Sequence, residues 1–230
     1  MLTLLKTYSV IIPIANHGML GLLEIGLLAL LPLFYSSPIK IGGLGFPPAI
    51  IGTALAVFGI TDGIVQASFG AKLIDWFGPK RMFCSAVLFF YPLTFLFPIM
   101  SAVVTVQGKV GPIIWILMMM QLLSMVFMDL AFCTFARSLR VSISPVCVAA
   151  ISIFVTRAAP NRQSLGSVNG LSQSFTSIAR AIGPAFTTSL FAFSKEYNLL
   201  GGNLVYVLMA MLTTILVILS QRLPDLRDET

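Results

Sequence analysis

The chain has 230 residues, of which 57% are hydrophobic; its mean hydropathy is +0.97 and its formal net charge is +6. An ordinary soluble domain is about 45–50% apolar, so this composition excludes that class and points to a chain that lives in lipid. The 14 basic and 8 acidic residues are spread too thinly for a nucleic-acid-binding face.

Crossing about 30 Å of hydrocarbon at 1.5 Å per residue takes about 20 mostly apolar residues. Six stretches reach that length: about 9–34, 50–72, 82–104, 113–134, 166–193 and 203–221. None alternates as a barrel strand does, so each is predicted to be a helix that satisfies its own backbone. The expected architecture is an all-α bundle of six transmembrane helices in one domain, residues 1–230, with the lipid bilayer as its first partner.

The first span follows Lys6 and is too long for a cleaved signal core, so it is expected to remain as an anchor. It carries His17 and, seven residues on and therefore on the same face, Glu24. The second span carries Asp62 about halfway along, beside a small-residue stripe of Gly59, Gly63 and Gly70 with Gln66, a pattern suited to close helix contact. The link that follows reads "GAKLIDWFGPKR" (70–81) and concentrates Lys72, Asp75, Lys80 and Arg81 in twelve positions. Gly78 and Pro79 make it a stiff turn that restarts the next helix, and Asp75 is placed to meet a helix N-terminus, expected near Ser164–Ser167.

The third span has no ionisable residue; the fourth has five methionines, at 118, 119, 120, 125 and 128, and ends near Asp129. After it, Arg137, Arg140 and Pro145 interrupt the apolar pattern, so residues 135–157 are expected to be irregular and 134–148 to be an insertion into a once continuous helix, as in an aberrantly spliced product. In the fifth span Asn169, Gln173, Thr176 and Arg180 recur at i, i+4, i+7 and i+11, a polar stripe running to an expected kink at Gly183-Pro184. The sixth span, like the third, is free of charge and reads as lipid-facing. Ionisable groups in lipid cost about 2.5–3.5 kcal/mol each on insertion scales, which makes Glu24, Asp62, Asp129 and Arg180, with His17, Asn169 and Gln173 beside them, candidates for a solute or proton pathway.

Basic residues set orientation. Lys6, Lys72, Lys80, Arg81, Arg137, Arg140, Arg157, Arg162, Arg222 and Arg227 fall on one side of the predicted bundle, and Lys40, Lys109 and Lys195 on the other. The richer side is the expected cytoplasmic one, so both termini are expected there. Cys84, Cys133 and Cys147 have no disulfide or metal spacing, and no phosphate loop, nucleophile elbow or metal-ligand pair is present; neither an enzyme, a metal nor a cofactor is expected.

The link at 70–81 resembles the signature loop of the major facilitator superfamily in Gly70, Leu73, Asp75, Gly78, Lys80 and Arg81, with Gly70 one position further from the aspartate than is usual. Residues 158–194 resemble the eleventh-helix region, and 42–60 the start of the eighth helix, of fungal drug:proton antiporters of the tetracycline-resistance and zinc-induced-facilitator type. The resemblance implies the C-terminal half of a twelve-helix fold, itself a 3+3 inverted repeat. It implies that the first and fourth spans line a cavity, that the second and fifth face a missing N-terminal six-helix half, and that the third and sixth are peripheral. The implied function is secondary, proton-coupled transport of a small solute or drug; the competing expectation is a truncated, non-transporting membrane fragment or interaction protein.

Overall fold

The computed structural model describes residues 8–70, 76–129, 134–135, 147–148, 150–158 and 164–223. Within them the chain runs as α1 (Tyr8–Ser36), a 3-10 turn (Ile39–Ile41), α2 (Pro48–Val65) continued by a π turn (Gln66–Gly70), α3 (Pro79–Leu88), α4 (Phe90–Gln107), α5 (Pro112–Asp129), the paired segments β1 (Thr134–Phe135) and β2 (Cys147–Val148), α6 (Ala150–Arg157), α7 (Leu165–Glu196) and α8 (Leu204–Gln221). This is an all-helical bundle apart from the two-residue ladder. Five of its segments are long and apolar enough to span a bilayer: α1, α2, α3 with α4, α5 and α8. The counterpart of the predicted fifth span, α7, is longer still at 32 residues but less apolar, because Asn, Gln, Ser, Thr and Arg side chains interrupt it.

Local chemistry accounts for most boundaries. The third predicted span is divided at Phe89 because Pro92 has no N–H to give to the carbonyl four residues back; Phe89 N–H turns to Ala86 and Val87 instead. Proline opens α2, α3 and α5, where a missing N–H costs nothing. Gly108 closes α4 with φ +64°, and its N–H returns to Val104 O.

Three expectations bear comparison with the structure. The fourth span is helical over Pro112–Asp129, residues 130–133 lie outside the described residues, and Thr134 belongs to a paired segment. The stretch expected to be irregular holds order at its ends: Thr134 pairs with Val148 and Phe135 with Cys147, antiparallel, and Ala150–Arg157 is helical. Arg137, Arg140 and Pro145 lie outside the described residues. The helix of the fifth span, α7, continues through Gly183 and Pro184.

The first helix is the axis of the bundle. Leu20, Leu23, Leu27, Leu30, Leu31 and Phe34 are all fully buried. They meet Phe97 and Met100 of α4 and Tyr206 and Met209 of α8 in one core. Phe97 and Tyr206 stack at 5.3 Å, with Phe34 set edge-on to Phe97 at 5.1 Å. Both charge-free spans thus bury one face and leave Phe95, Ile99, Met211 and Ile215 exposed on the other. A smaller cluster, Val10, Ile14, Val155 and Val168, seats α6 between α1 and α7. By contrast α2 stands nearly free: 56% of the most apolar stretch of α1 is buried, against 6% for α2.

Candidate functional site

The seam between α1 and α7 is held by small residues. A methyl group at Gly183 would come within 3.0 Å of Leu22 O, and one at Gly26 within 2.5 Å of Thr187 Oγ1. Only glycine lets the two backbones approach this closely. Further along, Gly21 lies under Thr176 and the Arg180 stem, and Gly18 under the Phe175 ring. Residue numbers rise together on both helices across these contacts, so α1 and α7 run parallel.

The ionisable residues of α1 sit on this seam. His17 is buried, and its Nδ1 lies 2.8 Å from Ser172 Oγ. Two turns further along, Arg180 Nη2 donates to Glu24 Oε2 at 2.9 Å, with the arginine 42% and the glutamate 20% exposed. His17, Gly21 and Glu24 therefore meet Ser172, Thr176 and Arg180 in register: a polar ladder between two membrane helices. Arg180 is near enough to His17 for its charge to act there. A buried charge in lipid is tolerable when it is paired, and the guanidinium supplies that pairing for Glu24.

The other candidates are arranged differently. Asp62 is half-buried on α2; Gln66 Nε2 donates to its Oδ2 at 2.6 Å, while Oδ1 accepts no hydrogen bond among the described residues. Asp129, the last residue of α5, lies within electrostatic range of both Asp62 and Glu24. Asn169 is partly buried and Gln173 exposed. The face of α7 that meets α1 is Val168, Ser172, Thr176, Ala179, Gly183 and Thr187. Of the expected polar stripe this buried face holds only Thr176; Arg180 reaches Glu24 from its edge, and Gln173 is exposed. In the signature loop, Leu73 and Asp75 lie outside the described residues, and with them the expected contact to the start of α7. Gly78 takes φ +80° just before α3, which favours glycine there, and Lys80 and Arg81 lie in that helix's first turn.

An apolar groove of about 440 Å³ separates α2 from α5, lined by Val57, Phe58, Trp115, Met118, Met119 and Leu122 among others. Met119 of the run thus faces open space, while Met118, at the floor of the groove, is in the core with Met125 and Met128. Among the described residues no three His, Cys, Asp or Glu side chains gather as a metal site.

Three polar contacts were missed at the level of sequence. Tyr35 OH donates to Gln121 Oε1 at 2.8 Å, and Gln121 Nε2 to Leu93 O at 3.2 Å, tying α1, α5 and α4 together inside the core. Asn16 Nδ2 donates to Ile12 O and to Leu219 O at the end of α8. Ser172 pairs with His17. A lone amide inside an apolar run, as in "MMMQLLSM", is itself a signal of a buried partner, since nothing in lipid would satisfy it.

No family model and no solved structure matches the chain. Curated relatives do. It is 27% identical over 191 residues to the major facilitator superfamily multidrug transporter mfsB of Aspergillus fumigatus, covering 79% of this chain and 28% of the relative. It is 26% identical over 189 residues to the major facilitator-type transporter psiT2 of Psilocybe cubensis, and 28% identical over 190 residues to psiT2 of Psilocybe cyanescens, each covering 80% of this chain and 34% and 33% of those proteins. The chain spans about a third of the length of these relatives. The resemblance carried by residues 42–60, 70–81 and 158–194 is thus matched along most of the chain, and the bundle is that of a multi-pass integral membrane protein similar to part of a major facilitator transporter.

Proposed function

We propose that the chain forms one six-span wall of a secondary transporter, and that a second bundle completes a solute path between them. The observation that carries this reading is the Glu24–Arg180 ion pair, held 2.9 Å apart between two helices long enough to span the membrane. Isolated charge there is costly, and its retention marks a pathway more often than a packing device. Two further features support it. The exposed sides of α2 and α7, with Gly52, Gly59, Gly63, Gly166 and Gly170 open to space, are shaped to receive other helices closely. The groove between α2 and α5, floored by methionine and tryptophan, suits a small apolar solute. Transport would proceed by rocking the two bundles about the site, with Glu24 and Asp129 as carboxylates available to couple proton movement. The excess of basic residues in the links after α2 and after α5 supports cytoplasmic termini.

The test pairs this chain with the N-terminal six-helix part of a relative such as mfsB in proteoliposomes. Proton-gradient-driven uptake of a fluorescent lipophilic compound should exceed that of either part alone, and Glu24→Gln should abolish the gain. Single cysteines at Lys80 and Lys109 should label from opposite sides. Uptake no greater than that of the separate parts, with stable pairing, would reassign the chain as a membrane interaction protein.

A further inference from the structure

At the opposite end of α7 from Ser164, three loops and helices converge on one cation. Lys195 occupies the last turn of α7. Its Nζ lies 5.7 Å over the Phe191 ring. A methyl group added at Gly42 would meet Lys195 Nζ at 3.1 Å and overlap Ser101 Oγ; one added at Gly202 would meet Nζ at 3.3 Å. Gly42 and Gly202 have φ of +82° and +76°, so a turn after α1 and another before α8 are both bent into glycine-only geometry around the ammonium. Yet Lys195 forms no hydrogen bond or ion pair with any described residue, its neighbour Glu196 included. The Ser101 hydroxyl, aimed at the same point, is likewise without a hydrogen bond among them. The backbone N–H groups of Gly42 and Gly202 are already given to Ile39 O and Leu199 O. What remains is a half-buried ammonium and a hydroxyl side by side, with their hydrogen-bonding capacity unused.

Depth identifies what would use it. At 1.5 Å per residue the 32 residues of α7 extend about 48 Å, more than the roughly 40–45 Å of a bilayer with its headgroups, so the last turn of α7 reaches headgroup level. Phe193 and Tyr197, two residues to either side of Lys195, are exposed rings packed 4.6 Å apart, the placement of an interfacial aromatic belt. We propose that Lys195 and Ser101 form a binding site for a phosphate-bearing anion, supplied in the membrane by the headgroup of an anionic phospholipid. An ammonium and a hydroxyl bond a phosphate oxygen pair as charge-assisted donors, and Phe193 and Tyr197 flank the acyl chains below it.

The site can be tested on the full chain without any transport assay. The purified protein is placed in nanodiscs of phosphatidylcholine with or without phosphatidylglycerol, and separately in phosphatidylcholine discs with millimolar inorganic phosphate at matched ionic strength. Thermal unfolding and the number of phosphatidylglycerol molecules retained in native mass spectra are read. Phosphatidylglycerol should raise the unfolding temperature, and Lys195→Gln should remove the rise and lower retention about tenfold, the loss of one charge-assisted contact. Ser101→Ala should weaken both in part; Lys109→Gln, a loop lysine outside the cradle, should weaken neither. A Lys195-dependent rise with inorganic phosphate as well would keep the anion site and make free phosphate its source. Equal losses in Lys109→Gln and Lys195→Gln, or no Lys195-dependent response to either anion, would overturn the proposal. If Lys195→Gln does not fold, retention in Ser101→Ala against Lys109→Gln decides it.

Discussion

Helices α1 and α2 are neighbours in sequence, similarly apolar, and each carries glycines and one carboxylate, yet they hold opposite positions. Gly26 of α1 is closed against Gly183 and Thr187, and Glu24 is paired across the seam with Arg180. Among the described residues, nothing lies within 4 Å of a methyl group added at Gly59 or Gly63 of α2, and Asp62 hydrogen-bonds only Gln66, one helix turn on. Glycine in a membrane helix marks a place of close approach. In α1 the approaching helix is present; along these glycines of α2 none is found among the described residues, and in the proposed function it would come from a second bundle. Among the described residues the bundle is thus closed along the α1–α7 seam and open along α2, the arrangement the proposed function calls for.

The largest effect that would break this contrast is steric. Gly183→Leu drives a side chain into the Leu22 carbonyl, a backbone atom that cannot move without parting α1 from α7. Overpacking of this kind costs about 1–3 kcal/mol and often more when backbone must shift. Folded yield in detergent should collapse and the unfolding temperature fall sharply. Gly63→Leu, in open space, should leave the isolated chain within about 0.5 kcal/mol of wild type. If the two substitutions cost the same in the isolated chain, the difference between the seams is not real.

Much of this was legible beforehand. Hydrophobic length alone placed the spans to within a few residues, because backbone in lipid has few alternatives to a helix. Glu24 and Arg180 were each recognisable as membrane charges, but their pairing was not, since it needs the parallel packing of α1 on α7. Periodicity put Thr176 and Arg180 on one stripe with Asn169 and Gln173; the packed stripe runs through Ser172 and Gly183 instead. Small size decides which face of α7 can approach α1, and a polarity pattern does not report size. The ladder between Thr134–Phe135 and Cys147–Val148 was hidden because apolar composition continues past Asp129.

A second, intermediate effect tests whether the polar ladder holds the seam or merely decorates it. Glu24→Gln, Arg180→Gln and the double substitution form a cycle in which each single change removes this ion pair and the double removes both of its charges. Pairs in direct contact couple by about 0.5–3 kcal/mol. The partial exposure of Arg180 puts the expectation in the lower half of that range, with the double variant more stable than the sum of the singles predicts. Additive singles, read from unfolding midpoints in one detergent, would show that glycine packing alone holds α1 to α7.

The smallest effect sharpens the contrast most. Asp62 and Gln66 form an i, i+4 pair on the open helix, and such pairs contribute about 0.2–0.5 kcal/mol. Asp62→Asn keeps the shape and the ability to meet Gln66, and it removes a charge whose second oxygen accepts nothing among the described residues. In the isolated chain, stability should change by less than about 0.5 kcal/mol, and a slight gain is in keeping with the cost of charge near lipid. Once a second bundle covers α2, the same substitution acts on a site that water and lipid no longer reach, and any partner cation on the incoming bundle loses its match. Co-purification with the N-terminal part of a relative should then fall for Asp62→Asn while the stability of the separate chain stays level. A variant that lowers both together would place Asp62 in the fold of this bundle and not on the surface it keeps for another.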